Sequence, residues 1–225
     1  MENYRKILEL LYELLRLSGD THWANLINKD IYNWDTKKST RGFKSHFGGM
    51  GSINDLTIGE QNPKGIWQSI LFDLLLNRAW NMLYNKSTSS HYDNQIQGSV
   101  CDNCSYAEIN LYNLEYFLPR KILPNIINNY LQKDNFMDLL KIEDFQNSVE
   151  TNLVRSKLIE AIEKQKIHYS DSRIAINRDC PKCKQRKMSA KYWDIKLELN
   201  QQQPNNKNLP LNLTPEKPWW KKLRS

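Results

Sequence analysis

Apolar residues recur at helical spacing over residues 3–17, where Tyr4, Ile7, Leu8, Leu11, Leu14 and Leu15 share one face and charged residues take the other. Ser18-Gly19 closes that helix, and Asp20 or Thr21 can cap a second, short helix carrying Trp23, Leu26 and Ile27. Residues 35–65 lose the periodicity and read as a basic, glycine-rich loop. The next helix, Ile66 to Tyr84, has apolar positions around most of its circumference and should be central. A polar stretch over residues 86–99 reads as a linker. Beyond it, Pro119 and Pro124 should interrupt helix, with Pro124 able to open a new one. Asp134 can cap a short segment with Phe136, Leu139 and Leu140, and residues 144–166 form a longer helix through Phe145, Val149, Leu153, Leu158 and Ile162. Alternation over Arg173–Ile176 and Tyr192–Leu197 predicts strands. From Asn200 on, Gln, Asn, Pro and Leu follow without period, as in a flexible tail.

Composition changes this picture little. The chain has 225 residues, 40% hydrophobic and 25% charged, as globular domains do. No segment has the pattern of a signal peptide, and Ile70–Leu76, the greasiest later stretch, contains Asp73 and is far shorter than the roughly 20 residues of a membrane span. The expected location is cytoplasmic, with no membrane partner. The net charge of +7 is uneven: residues 167–225 carry +8 and the rest −1. A basic end suits phosphate backbones, and equally a solvated surface.

The cysteines are more specific. All four fall in two pairs, Cys101-Asp102-Asn103-Cys104 and Cys180-Pro181-Lys182-Cys183. Each two-residue gap lets both sulfurs turn toward one cation, and four soft ligands complete a zinc tetrahedron. In a cytosolic chain this favours metal over disulfides, and a redox pair lacks the strand–helix context it needs. The expected cofactor is one structural Zn2+ per chain, held by Cys101, Cys104, Cys180 and Cys183. The two knuckles resemble those of zinc ribbons, with the difference that 75 residues, mostly helical in pattern, separate them. The resemblance implies a ribbon containing a helical insertion.

Two further segments carry candidate chemistry. Gly48-Gly49-Met50-Gly51-Ser52 invites a phosphate-loop reading, but it lacks the Gly-Lys-Ser/Thr ending and a preceding strand, so a tight packing turn is favoured. With His22-Trp23 and the following Asn54-Asp55, this segment resembles an uncharacterised bacterial domain with a Gly-Gly-Met-Gly-Ser-x-Asn-Asp signature over roughly the first 85 residues. His22, His46, Asn54 and Asp55 are the polar residues to inspect for a cleft, although capping and loop satisfaction are the commoner uses of such groups. Asp194-x-Lys196, with Asp179, has the form of a nuclease carboxylate pair, a pattern that alternating charge on a strand also produces. Lys182, Lys184, Arg186, Lys187 and Lys191, with Tyr192 and Trp193, form the densest basic and aromatic cluster. Such clusters neutralise phosphates and stack on bases, and lysines at a knuckle also offset thiolate charge. Trp219, Trp220, Lys221 and Lys222 end a polar tether and suit docking on a partner or back on the chain.

Together these features predict a mainly α (α+β) chain with four parts: a helical domain with a glycine-rich loop over 1–85, the linker over 86–99, a zinc-ribbon-like domain with a helical insertion over 100–199, and the tail over 200–225. The favoured function is a non-enzymatic adaptor for nucleic acid or a nucleic-acid-handling complex. A protein-interaction module that regulates or neutralises another protein is the second reading. An enzyme with a cleft at the glycine loop is the third, with no catalytic residue assigned.

Overall fold

The chain is mainly helical with one small mixed sheet; the computed structural model describes residues 2–59, 63–84, 95–173, 179–185 and 188–195. Helix α1 (Glu2–Leu17) buries the stripe expected of it, from Tyr4 to Leu15. Helix α2 (Thr21–Lys37) is longer than its sequence suggests. The Trp23 amide donates to the Asp20 carboxylate, 3.0 Å, which caps its start. Ala24, Ile27, Asp30 and Trp34 then lie on one buried face, and Lys38 ends it in the left-handed conformation, φ 51°. The expected loop over 35–65 contains a short helix α3 (Arg41–Ser45) and a 3-10 turn, Ile53–Asp55.

Helix α4 (Pro63–Tyr84) is central, with Trp67, Ile70, Leu71, Phe72, Leu75 and Ala79 buried against α1 and α5. Strand β1 (Gln95–Cys101) occupies residues 95–99 of the expected linker. Strand β2 (Ala107–Asn110) follows, and its last residue caps α5 (Leu111–Leu131) by accepting the Asn113 amide proton, 3.0 Å.

Pro119 and Pro124 do not break α5, contrary to expectation. Each interior proline costs about 3 kcal/mol. Burial offsets this, because Leu114, Phe117, Leu118, Ile122, Leu123, Ile127 and Leu131 are all enclosed, at roughly 1.5–3 kcal/mol apiece. The expected helix over 144–166 is instead two: α6 (Ile142–Gln146) and α7 (Val149–Lys164), separated where Ser148 Oγ caps Thr151 N at 3.1 Å. The buried stripe of α7 is Thr151, Val154, Leu158 and Ile162, which leaves Val149 87% and Leu153 55% exposed.

Strand β3 (His168–Ser170) carries no clear sequence signal. Strand β4 (Met188–Asp194) starts before the expected segment; Ile174–Ile176, Lys196 and Leu197 lie outside the described residues. The sheet order is β3-β2-β1-β4, antiparallel except for β2 with β3. Ile96, Ile109, Leu114, Phe117, Leu158 and Ile162 form a core between the sheet and helices α5 and α7. The larger core joins α1, α2 and α4 to the later part of α5, so it spans the sequence position at which a linker was expected.

Candidate metal centre

The first cysteine pair sits where β1 turns into β2, and the second leads into β4, which pairs with β1. Both turns are built alike. The Cys101 amide donates to Tyr106 O, 2.8 Å, and Ser105 N to Cys101 O, 2.9 Å. In the second, Cys180 N donates to Gln185 O and Lys184 N to Cys180 O, each at 2.9 Å. Ser105 (φ 55°) and Lys184 (φ 61°) hold matching left-handed positions one residue past the second cysteine. The local sequence therefore repeats one backbone shape, and the sheet brings the two copies face to face.

Each first cysteine opposes the other turn's second: Cys101 Sγ to Cys183 Sγ and Cys104 Sγ to Cys180 Sγ are both 3.6 Å. All four sulfurs lie within 4.8 Å of one another. A zinc–sulfur bond of about 2.3 Å gives a tetrahedral edge of about 3.8 Å, so the donor set fits a single ion. Cys101 and Cys180 are buried and the other two half-buried. Ser189 Oγ donates to Asp102 Oδ2, 2.6 Å, which ties the first turn to β4.

Electrostatics point the same way. The Cys183 thiol is drawn down to about 6, first by the Gln185 backbone amide on its sulfur, then by the Asn103 side chain and the Cys101 and Cys104 thiols, against the effect of desolvation. Cys104 is pushed up to about 12: the Tyr106 amide lowers it, but desolvation and the Cys180, Cys101 and Cys183 thiols outweigh that. Without a cation, four crowded sulfurs cannot all carry charge; a divalent ion removes the conflict and makes all four thiolates. Four protein ligands leave no coordination position for substrate, so the arrangement suits structure rather than catalysis.

Of the basic cluster, Lys182 and Lys184 are exposed on the second knuckle. Lys191 is exposed in mid-β4, with its Nζ 5.5 Å from the Trp193 ring. Arg186, Lys187, Trp219, Trp220, Lys221 and Lys222 lie outside the described residues. Asp179 adjoins the knuckle, whereas Asp194 ends β4, about 20 Å of strand away from it. The two do not form a carboxylate pair.

The glycine loop is engaged with itself. Gly48, Gly49 and Gly51 have φ of 99°, 87° and 78°, and a Cβ on any of them would meet nothing within 4 Å. They serve backbone conformation, not close packing. The amides of Gly51 and Ser52, the kind that would cradle an anion, donate to Asp55 Oδ2 at 2.9 and 3.2 Å. His46 Nε2 meets Asp30 Oδ2 at 2.6 Å, where both side chains are nearly buried. His22 is exposed, edge-on to Trp23. Asn54 lines a cavity of about 620 Å³, shared with Phe47, Asp73, Asn77 and Trp80. The Asp30–His46 pair left no sequence signal beyond the presence of its members.

A family model for a domain of unknown function (DUF6966) matches residues 16–65, a segment that holds the Asp30–His46 pair and the glycine loop but none of the cysteines. The chain matches no curated protein and no solved structure. No described helix is long and apolar enough to cross a membrane.

Proposed function

We propose that the four cysteines hold one structural zinc ion, and that the protein is a non-enzymatic adaptor whose zinc-bound end contacts nucleic acid or a nucleic-acid-handling complex. The observation that carries this reading is the closed four-sulfur site. It clamps the β1–β2 hairpin to β4 and sets the exposed Lys182, Lys184 and Lys191 on that framework. Cations held on a rigid element lose less freedom on meeting phosphates than cations on a loose loop.

Two measurements test it. Purified protein should contain close to one zinc per chain. Binding to generic single-stranded DNA or RNA should fall with salt, and replacing Lys182, Lys184 and Lys191 with Ala should weaken binding and flatten the log–log salt slope by about 0.7 per phosphate contact removed. Wild-type protein that binds neither nucleic acid at low salt refutes the nucleic-acid part.

A protein-interaction module is the second reading. It is favoured by Val149 and Leu153, which stand exposed one turn apart on α7. Loss of a protein partner on Leu153→Asp, with nucleic-acid binding absent, would establish it.

A further inference from the structure

A groove of about 370 Å³ opens between the far end of the sheet and α5, well away from the cysteines. Gln97 and Tyr192 are cross-strand partners, so they lie on one face of the sheet, with Gln95 two residues along β1. Asn113, Tyr116 and Arg120 face them from α5. Tyr192 and Tyr116 are 57% and 43% exposed, and both line this groove. Arg120 is held in place: its Nη2 donates to Tyr116 Oη, 3.0 Å, its guanidinium lies 4.9 Å from the Tyr116 ring, and Asp73 is 3.9 Å away.

Exposed rings offer faces for a flat partner, and stacking on tyrosine is a general way of holding a base. The polar lining narrows the choice. Gln95, Gln97 and Asn113 are carboxamides, each with a donor beside an acceptor, the pairing that matches the N6 and N7 edge of adenine. Arg120, the group that would read guanine, has its Nη2 engaged by Tyr116 Oη and 3.9 Å from Asp73, which restrains it on the α5 side of the groove. The volume suits one nucleotide.

The geometry points to an adenine-binding groove, in which Tyr192 and Tyr116 stack the ring and the Gln97 carboxamide reads its edge. The base can belong to a free adenine nucleotide or to single-stranded nucleic acid. The second source rests on the nucleic-acid reading above; the groove does not.

The test uses the full-length, zinc-loaded chain with three probes: AMP, oligoadenylate against oligocytidylate of about twelve nucleotides, and a synthetic peptide of residues 203–220. The expected result is tighter binding of oligoadenylate than oligocytidylate. Tyr192→Ala should weaken the adenylate complex roughly 5- to 150-fold, the span of one base–aromatic stack, while Tyr192→Phe keeps it. Gln97→Leu should erase the adenine preference, and the lysine variants should weaken both sequences alike. Both tyrosines are exposed, so unchanged zinc content and melting temperature will show that these variants fold. AMP binding that Tyr192→Ala abolishes, without oligonucleotide binding, upholds the groove and ends the nucleic-acid reading. Equal binding of both sequences, unaffected by Tyr192→Ala, overturns the groove and leaves that reading standing. Binding of neither adenine probe overturns the groove, absence of oligocytidylate binding as well ends the nucleic-acid reading, and peptide binding lost in Tyr192→Ala would then assign the groove to a protein segment.

Discussion

Replacing Cys180 with Ser removes a buried sulfur that lies 3.6 Å from Cys104 Sγ. The cost follows from what the ion joins. Cys104 and Cys180 are 76 residues apart in sequence, and Cys101 and Cys183 are 82 apart. A cross-link closing a loop of that length restricts the unfolded chain by about 4.5 kcal/mol on the loop-closure relation used for disulfides. A metal cross-link acts through the same entropy, counted once because both pairs close through one ion. At roughly 2–4 °C per kcal/mol for a chain of this size, the melting temperature should fall by about 9–18 °C. The assay is thermal unfolding at pH 7.5 alongside metal analysis, with Asp179→Ala as a control that keeps both values. Acidification should mimic the variant, since protons compete with the ion for all four thiolates and the metal is lost as pH falls. Retention of half or more of the zinc by Cys180→Ser, or a fall in melting temperature below 2 °C, would refute the single closed site.

Three other perturbations probe the frame around it. Gly98→Ala puts a Cβ 2.5 Å from Glu108 O and 2.7 Å from the Trp193 ring, so it should destabilise the sheet by about 1–3 kcal/mol, read by urea unfolding. His46→Ala leaves the nearly buried Asp30 carboxylate without its hydrogen-bond partner and should cost about 1–3 kcal/mol by the same measurement, with Asp30→Asn/His46→Ala recovering part of the loss. Deleting residues 214–225 should leave melting temperature and zinc content unchanged while impairing partner binding; a loss of several degrees would place Trp219 and Trp220 in the fold instead.

Some of this was legible along the chain because it depends on neighbours a few residues apart. The two Cys-x-x-Cys spacings place paired sulfurs on any chain that adopts the knuckle turn, and the apolar rows of α1 and α4 follow from 3.6 residues per turn. The start of α2 at Asp20 is of the same kind. Other features depend on which distant surfaces end up buried together. The helix through Pro119 and Pro124 exists because both cores enclose α5, which local propensity does not register. Val149 and Leu153 fit a helical apolar row, yet the cap at Ser148 restarts the helix and turns the Thr151–Val154–Leu158 stripe inward. Asp30 takes up His46 through a contact between separate helical elements that exists only once the chain has folded, whereas the Asp55 bonds to the Gly51 and Ser52 amides are local. The groove between Tyr192 and Tyr116 belongs to this second class as well. Spacing is a local property of the sequence; the pairing of surfaces is a property of the closed fold.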